Sequence, residues 1–262
     1  MFEVSGLTFH LYGLIIGLAV VMGLSVAEAY GRIYKVEAVV TKSAWIIIIT
    51  GLIGARMWHV VTDWHLYQYQ WSAALYVWQG GLSILGAVVG GAIGAALSSK
   101  YIKPTVPLLK LLDISVLGLP FAQALGRWGN YVNQELYGWP TNGWWGVYID
   151  VDHRLSQLQN FERFQPLFLY ESLALLIIGL GLQFLESCSR TDKKSRLQVG
   201  TGSLCALYVA SYGWLRFGLE FLRPDKALLT PTLGVNQLVV LGIAVVSSGW
   251  LLKQRYVNQK LR

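Results

Sequence analysis

Seven apolar runs punctuate this chain, near 10–30, 43–62, 80–99, 108–127, 167–185, 202–222 and 233–252. Each is about 20 residues long, the length an α-helix needs to cross the hydrocarbon core of a bilayer. Within lipid, backbone N–H and C=O groups must be paired inside the protein, so a spanning segment is a helix or part of a closed barrel. Continuous apolar runs of this length read as helices. Of 262 residues, 54% are hydrophobic and 13% charged, against about a quarter charged in soluble domains. The expected fold class is an all-α polytopic membrane protein with seven transmembrane helices, forming one membrane domain over 1–262. The formal charge of +7 then follows from topology, and no nucleic-acid partner is expected. The first run has no basic flank, only Glu3 and His10 before it, so it is expected to stay as a helix rather than be cleaved as a signal peptide.

The cations fix an orientation. One set of connections carries Arg32, Lys35, Lys42, Lys100, Lys103, Lys110, Arg190, Lys193, Lys194 and Arg196, then Lys253, Arg255, Lys260 and Arg262. The opposite set carries Arg154, Arg163, Arg223 and Lys226. The positive-inside rule assigns the first set to the cytoplasm. The N-terminus is then outside and the C-terminus cytoplasmic, as an odd number of spans requires. The long connection 128–166 contains GWPTNGWWGVYIDVDH, with breakers around aromatic and β-branched residues. It reads as a small extracytoplasmic cap between spans four and five, with a short strand or hairpin at Trp144–Val151. Trp64, Trp71, Trp78, Trp128, Trp139, Trp144 and Trp145 fall in outer-side connections, where indoles favour the headgroup zone. Residues after Leu252 read as a basic tail on anionic lipid. Cys188 and Cys205 have neither metal-ligand spacing nor a disulfide pattern.

Polar residues inside apolar runs carry the functional signal, because intramembrane charge is expensive. Tyr212, Arg216 and Glu220 recur at intervals of four in the sixth run, on one helical face; Arg223 extends that face. An Arg–Glu pair that neutralises itself is the structural reading. A guanidinium with donors to spare binds phosphate as a fork. At the end of the fourth run, Arg127, Asn130, Tyr131 and Gln134 share a face if the helix continues, with Asn133 and Glu135 pointing elsewhere. Two arginines at similar depth suggest an anionic headgroup site; a buried structural ion network is the other reading. Arg56 with His59 and Asp63, and singly Asp113, Tyr12 and Glu171, are weaker candidates. Gly86, Gly90 and Gly94 mark a helix-packing face. Gly80 and Gly81 precede the third run and either present backbone N–H groups to a phosphate or simply start a helix.

The segment GRWGNYVNQELYG, Gly126–Gly138, resembles the signature of bacterial prolipoprotein diacylglyceryl transferases, roughly G-R-x-G-N-F-x-N-x-E-x-x-G. HLYGLIIG, GARMW, WQGGLSILGA, QPLFLYES and YGWLRFGLEFLRPD agree with the family in order and spacing, so the resemblance covers nearly the whole chain. It implies seven spans in the bacterial plasma (inner) membrane and transfer of a diacylglyceryl group from phosphatidylglycerol to the lipobox cysteine of a preprolipoprotein signal peptide. That is the first step of lipoprotein maturation, and glycerol phosphate is released. The partners implied are phosphatidylglycerol, signal peptides and membrane lipid, with no cofactor and no metal. By resemblance, Arg127, Arg216, Glu220 and Glu135 are catalytic, while Arg127, Asn130, Tyr12, Gly138, Tyr212, Gly80 and Gly81 bind phosphatidylglycerol. Two positions depart from the pattern. Leu85 stands where the family often has a histidine, and Gln165 where it has the histidine of H-P-[ST]. A transporter or flippase of an anionic lipid, or a non-catalytic lipid-binding relative, are the rival functions.

Overall fold

The computed structural model describes residues 2–4, 7–9, 11–77, 80–102, 105–192, 195, 197–225 and 234–260. Trp78, Lys103, Lys193, Lys194, Arg196, Lys226 and Arg262, used above for orientation or the aromatic belt, lie outside them. Seven long helices are present among the described residues: α1 Leu11–Ile33, α2 Glu37–Thr62, α3 Ile84–Tyr101, α4 Leu108–Val132, α5 Leu167–Thr191, α6 Ser203–Leu219 and α7 Val235–Lys260. Five are long and apolar enough to cross a membrane: α1, α2, α4, α5 and, over Gln237–Gln254, α7. α3 has 18 residues and α6 has 17, the latter prolonged by a 3-10 turn, Glu220–Leu222.

Helices overrun the apolar runs in both directions. α2 begins at Glu37, whose carboxylate suits the positive N-terminal end of a helix, and α5 continues to Thr191 with Arg190 in its last turn. α7 runs to Lys260, so the basic segment after Leu252 is helical that far. Charged residues are compatible with helix; they end only the lipid-soluble part. Trp128 is likewise in α4 rather than in a connection.

The chain forms two compact units, one of Ala27–Ser115 and one of Met1–Val26 with Val116–Arg262. In the first, α2 and α3 pack through glycine. A side chain at Gly54 would collide with the Gly86 carbonyl, and one at Gly90 with the Thr50 carbonyl. The absence of Cβ atoms lets two backbones touch. The connection between these helices holds two short 3-10 turns, Trp64–Leu66 and Trp71–Leu75.

In the second unit, Gly23 of α1 abuts Ala122 of α4, where an added Cβ would lie 2.7 Å from the alanine methyl. Pro120 interrupts the hydrogen-bond ladder of α4. α5 supports this stretch: Gln183 Nε2 donates to the Leu117 carbonyl (3.2 Å) and Ser172 Oγ to that of Ala124 (2.9 Å). Gly213 brings α6 against Ala244 of α7. The α4–α5 connection contains a two-stranded antiparallel ribbon, β1 Val147–Tyr148 and β2 Arg163–Phe164. The strand expected at Trp144–Val151 is thus present but pairs with residues well beyond it, not within a local hairpin. Tyr137, Ile149, Leu158 and Phe164 form a small core beneath the ribbon. The Tyr137 hydroxyl donates to the His153 carbonyl (3.0 Å) and accepts from Leu155 N–H (2.8 Å).

Candidate functional site

Three helices contribute charge to one buried cluster. Arg127 comes from the last turns of α4, Glu171 from the first turns of α5, and Tyr212, Arg216 and Glu220 from the end of α6. Glu171 joins them: Oε1 lies 2.9 Å from Arg127 Nη2, and Oε2 lies 3.1 Å from Arg216 Nη1. The Tyr212 hydroxyl donates to Glu171 Oε1 (3.3 Å) and accepts from Arg127 Nη2 (3.1 Å). One helical turn beyond Arg216, Glu220 Oε2 accepts from Arg216 Nη2 (3.1 Å) and from Arg223 Nη1 (3.3 Å). Arg223 then forks onto Asp225, Nε to Oδ1 at 3.0 Å and Nη2 to Oδ2 at 2.9 Å. The result is an alternating chain of six charges, Arg127–Glu171–Arg216–Glu220–Arg223–Asp225, in which every charge has an opposite neighbour. Burial pushes the Asp225 carboxyl upward, but its hydrogen bonds and charge contact with Arg223 outweigh this and hold it below the usual carboxylate range.

Among the described residues, Nε and Nη1 of Arg127 and Nε of Arg216 meet no protein acceptor. Arg127 also borders an open groove of about 290 Å³. Tyr12, Ile16, Ala19 and Val20 of α1 form one wall, and Ala122, Gln123, Gly126, Arg127 and Asn130 of α4 the other. The groove is largely apolar with a few polar groups at Arg127 and Asn130, the composition expected for a ligand with a hydrocarbon part and an anionic part. Tyr12 is placed by Gly129, where a Cβ would lie 2.8 Å from the tyrosine ring. Asn130 is 9% exposed, and its side chain makes no hydrogen bond to the described residues. Stacked on Tyr212 at 6.0 Å, Tyr208 donates to Gln123 Oε1 (2.7 Å) and braces the same wall.

The other residues singled out from the sequence lie elsewhere. α4 ends at Val132, and Gln134 and Leu136 have φ of 52° and 54°, so Gln134 does not share a helical face with Arg127. It instead pairs with Asp150, its Nε2 donating to Oδ2 at 2.6 Å. Glu135 borders a second concavity of about 270 Å³ with Tyr137, His153 and Asp225. Arg127 does not border it. Gly138 is tightly packed, with Gln165 Cβ 2.9 Å from where its own Cβ would stand. Gly80 and Gly81, with φ of 87° and 69°, turn carbonyls rather than gathered N–H groups to a partner. Arg56 Nη1 donates to both, at 2.6 and 2.9 Å, while Nη2 and Nε reach the carbonyls of Ala73 and Ala74. Arg56 does not pair with Asp63; His59 does, at 3.0 Å. Among the described residues, no group of three or more His, Cys, Asp or Glu gathers at metal-binding distance.

Glu171 was undervalued by the sequence. Its signal was isolation: it is the only charged residue between Arg163 and Glu186, inside a segment that should enter lipid.

Relatives share this chain over most of its length. A transferase from Nostoc sp. (strain PCC 7120 / SAG 25.82 / UTEX 2576), named phosphatidylglycerol–prolipoprotein diacylglyceryl transferase, is 37% identical over 95% of this chain and 87% of its own length. Proteins of the same name from Thermosynechococcus vestitus (32%, over 98% and 92%) and Finegoldia magna (32%, over 100% and 96%) match as well. The model of the prolipoprotein diacylglyceryl transferase family matches residues 1–253, and the chain therefore belongs to that family.

Proposed function

We propose that this protein transfers the diacylglyceryl group of phosphatidylglycerol to the cysteine thiol of a prolipoprotein signal peptide, in the bacterial plasma membrane. The observation that carries the reading is the convergence of Arg127 and Arg216 on one carboxylate, with Arg127 also lining an apolar groove. Acyl chains lie along the α1–α4 groove, and the phosphate takes the spare N–H groups of the two arginines. Asn130 offers its amide to the headgroup, and Tyr12 and Tyr212 shape the cavity. Glu220 orients Arg216.

The chemistry is displacement at carbon. The thiolate forms an S–C bond at the diacylglyceryl carbon attached to the phosphate oxygen, that C–O bond breaks, and glycerol phosphate departs. A free thiol has a pKa near 8.5, so about a few per cent is thiolate at neutral pH; a cationic cavity raises that fraction. Charge develops on the departing phosphate, and fixed guanidinium donors in a water-poor site stabilise it most in the transition state. Leu85 and Gln165 stand at the two positions where the family pattern given by the resemblance has histidine, so this chemistry runs without an imidazole there. The membrane arrangement follows the cation distribution: N-terminus outside, C-terminus cytoplasmic, and 128–166 as the extracytoplasmic cap, the whole chain working as one seven-span domain.

The test uses purified native protein in vesicles containing phosphatidylglycerol, with a lipobox peptide. Mass spectrometry should find the peptide heavier by one diacylglyceryl group. Unchanged peptide would refute the reading.

A further inference from the structure

Resting on the phosphate-site reading above, we propose that Glu171 is a positioning residue that sets the spacing of Arg127 and Arg216 and competes with the incoming phosphate for them. Two guanidiniums carried on different helices, α4 and α6, repel each other. A carboxylate between them converts repulsion into attraction on both sides. Glu171 is 3% exposed, and each of its oxygens serves a different arginine, so one rigid CO₂⁻ group fixes both. The Tyr212 hydroxyl on Oε1 holds the carboxylate against rotation. Glu220 also contacts Arg216 but reaches Arg223 rather than Arg127. Among the described residues, only Glu171 bridges the pair.

Glu171 uses Nη2 of Arg127 and Nη1 of Arg216. The incoming phosphate must take the remaining donors, so Arg127 is shared between Glu171 and the phosphate, and Arg216 among Glu171, Glu220 and the phosphate. Removing the Glu171 charge has two opposite consequences. The bare cations attract the phosphate more strongly in the ground state. They are also no longer held where charge develops on the leaving group, and that part of binding alone accelerates the reaction. The signature is a slower turnover at a lower half-saturating lipid concentration. A residue needed only for folding would reduce the amount of protein and leave the half-saturation of the folded fraction unchanged.

The experiment varies the mole fraction of phosphatidylglycerol in phosphatidylcholine proteoliposomes at fixed lipobox peptide, with rates normalised to folded protein. For Glu171→Gln, kcat should fall about 10²-fold, as for loss of one transition-state donor, and half-saturating phosphatidylglycerol should fall severalfold. Glu171→Asp keeps the charge but is one methylene too short to reach both arginines. Its kcat should fall while half-saturation stays native. Native turnover in Glu171→Gln, or slower turnover with unchanged or raised half-saturation, would overturn the assignment. Should Glu171→Gln fail to fold, native turnover in Glu171→Asp would do the same. Failure of native protein to transfer at all is a separate result and refutes the function itself.

Discussion

A guanidinium buried in an apolar bundle persists only where acceptors replace water, and this chain meets that demand in two ways. Arg127 and Arg216 share carboxylates and keep donors in reserve. Arg56, 8% exposed, gives donors to four backbone carbonyls and lies over the Tyr67 ring at 5.2 Å. Arg56→Leu would strand those carbonyls. The expected cost is at least about 1–3 kcal/mol, the range for leaving a buried acceptor unsatisfied, read as a lower unfolding midpoint in detergent. The Arg223–Asp225 fork has a pH signature. With the folded carboxyl below its usual value of about 3.9, the pair stabilises fully above that value. Its contribution is lost as pH falls towards the lower folded pKa. The stability gap between native protein and Asp225→Asn should therefore be constant from pH 7 to about 5 and shrink below about pH 4. Of the site itself, Arg127, Arg216 and Glu220 were legible because intramembrane charge at helical spacing is rare. Glu171 ranked only among the weaker candidates, since its partners are remote in sequence and no i±4 neighbour announces it.

At the scale of elements, apolar runs located every helix but not its ends. Hydropathy reports where lipid stops, whereas backbone hydrogen bonding continues into the polar zone, as in α5 and α7. The turn after α4 was illegible for another reason. Gln134 and Leu136 adopt left-handed φ, which their side chains do not advertise. The tight Gly54–Gly86 and Gly90–Thr50 approaches were readable as a small-residue face. Gly90→Val should force α2 and α3 apart and cost at least about 1–3 kcal/mol, typical of overpacking. The check is the yield of monodisperse protein, with Gly242→Ala as control, because a Cβ at Gly242 meets nothing within 4 Å.

At the scale of the molecule, the charge asymmetry that suggested orientation makes a direct statement about Cys188. This exposed free cysteine sits at the end of α5 expected in the cytoplasm. In a Cys205→Ser background, a membrane-impermeant maleimide should label Cys188 only after cells are opened; labelling of intact cells would reverse the topology. Charge arrangement also bears on the chemistry, since the chain of six alternating charges is formally neutral as a whole and reaches the groove at its cationic end, Arg127. The most direct measurement compares diacylglyceryl transfer by native protein, Arg127→Ala and Arg216→Ala in phosphatidylglycerol vesicles. Each variant should insert normally and lose about 10²–10³-fold in rate. Transfer near the native rate by either folded variant would contradict a phosphate held between these two arginines.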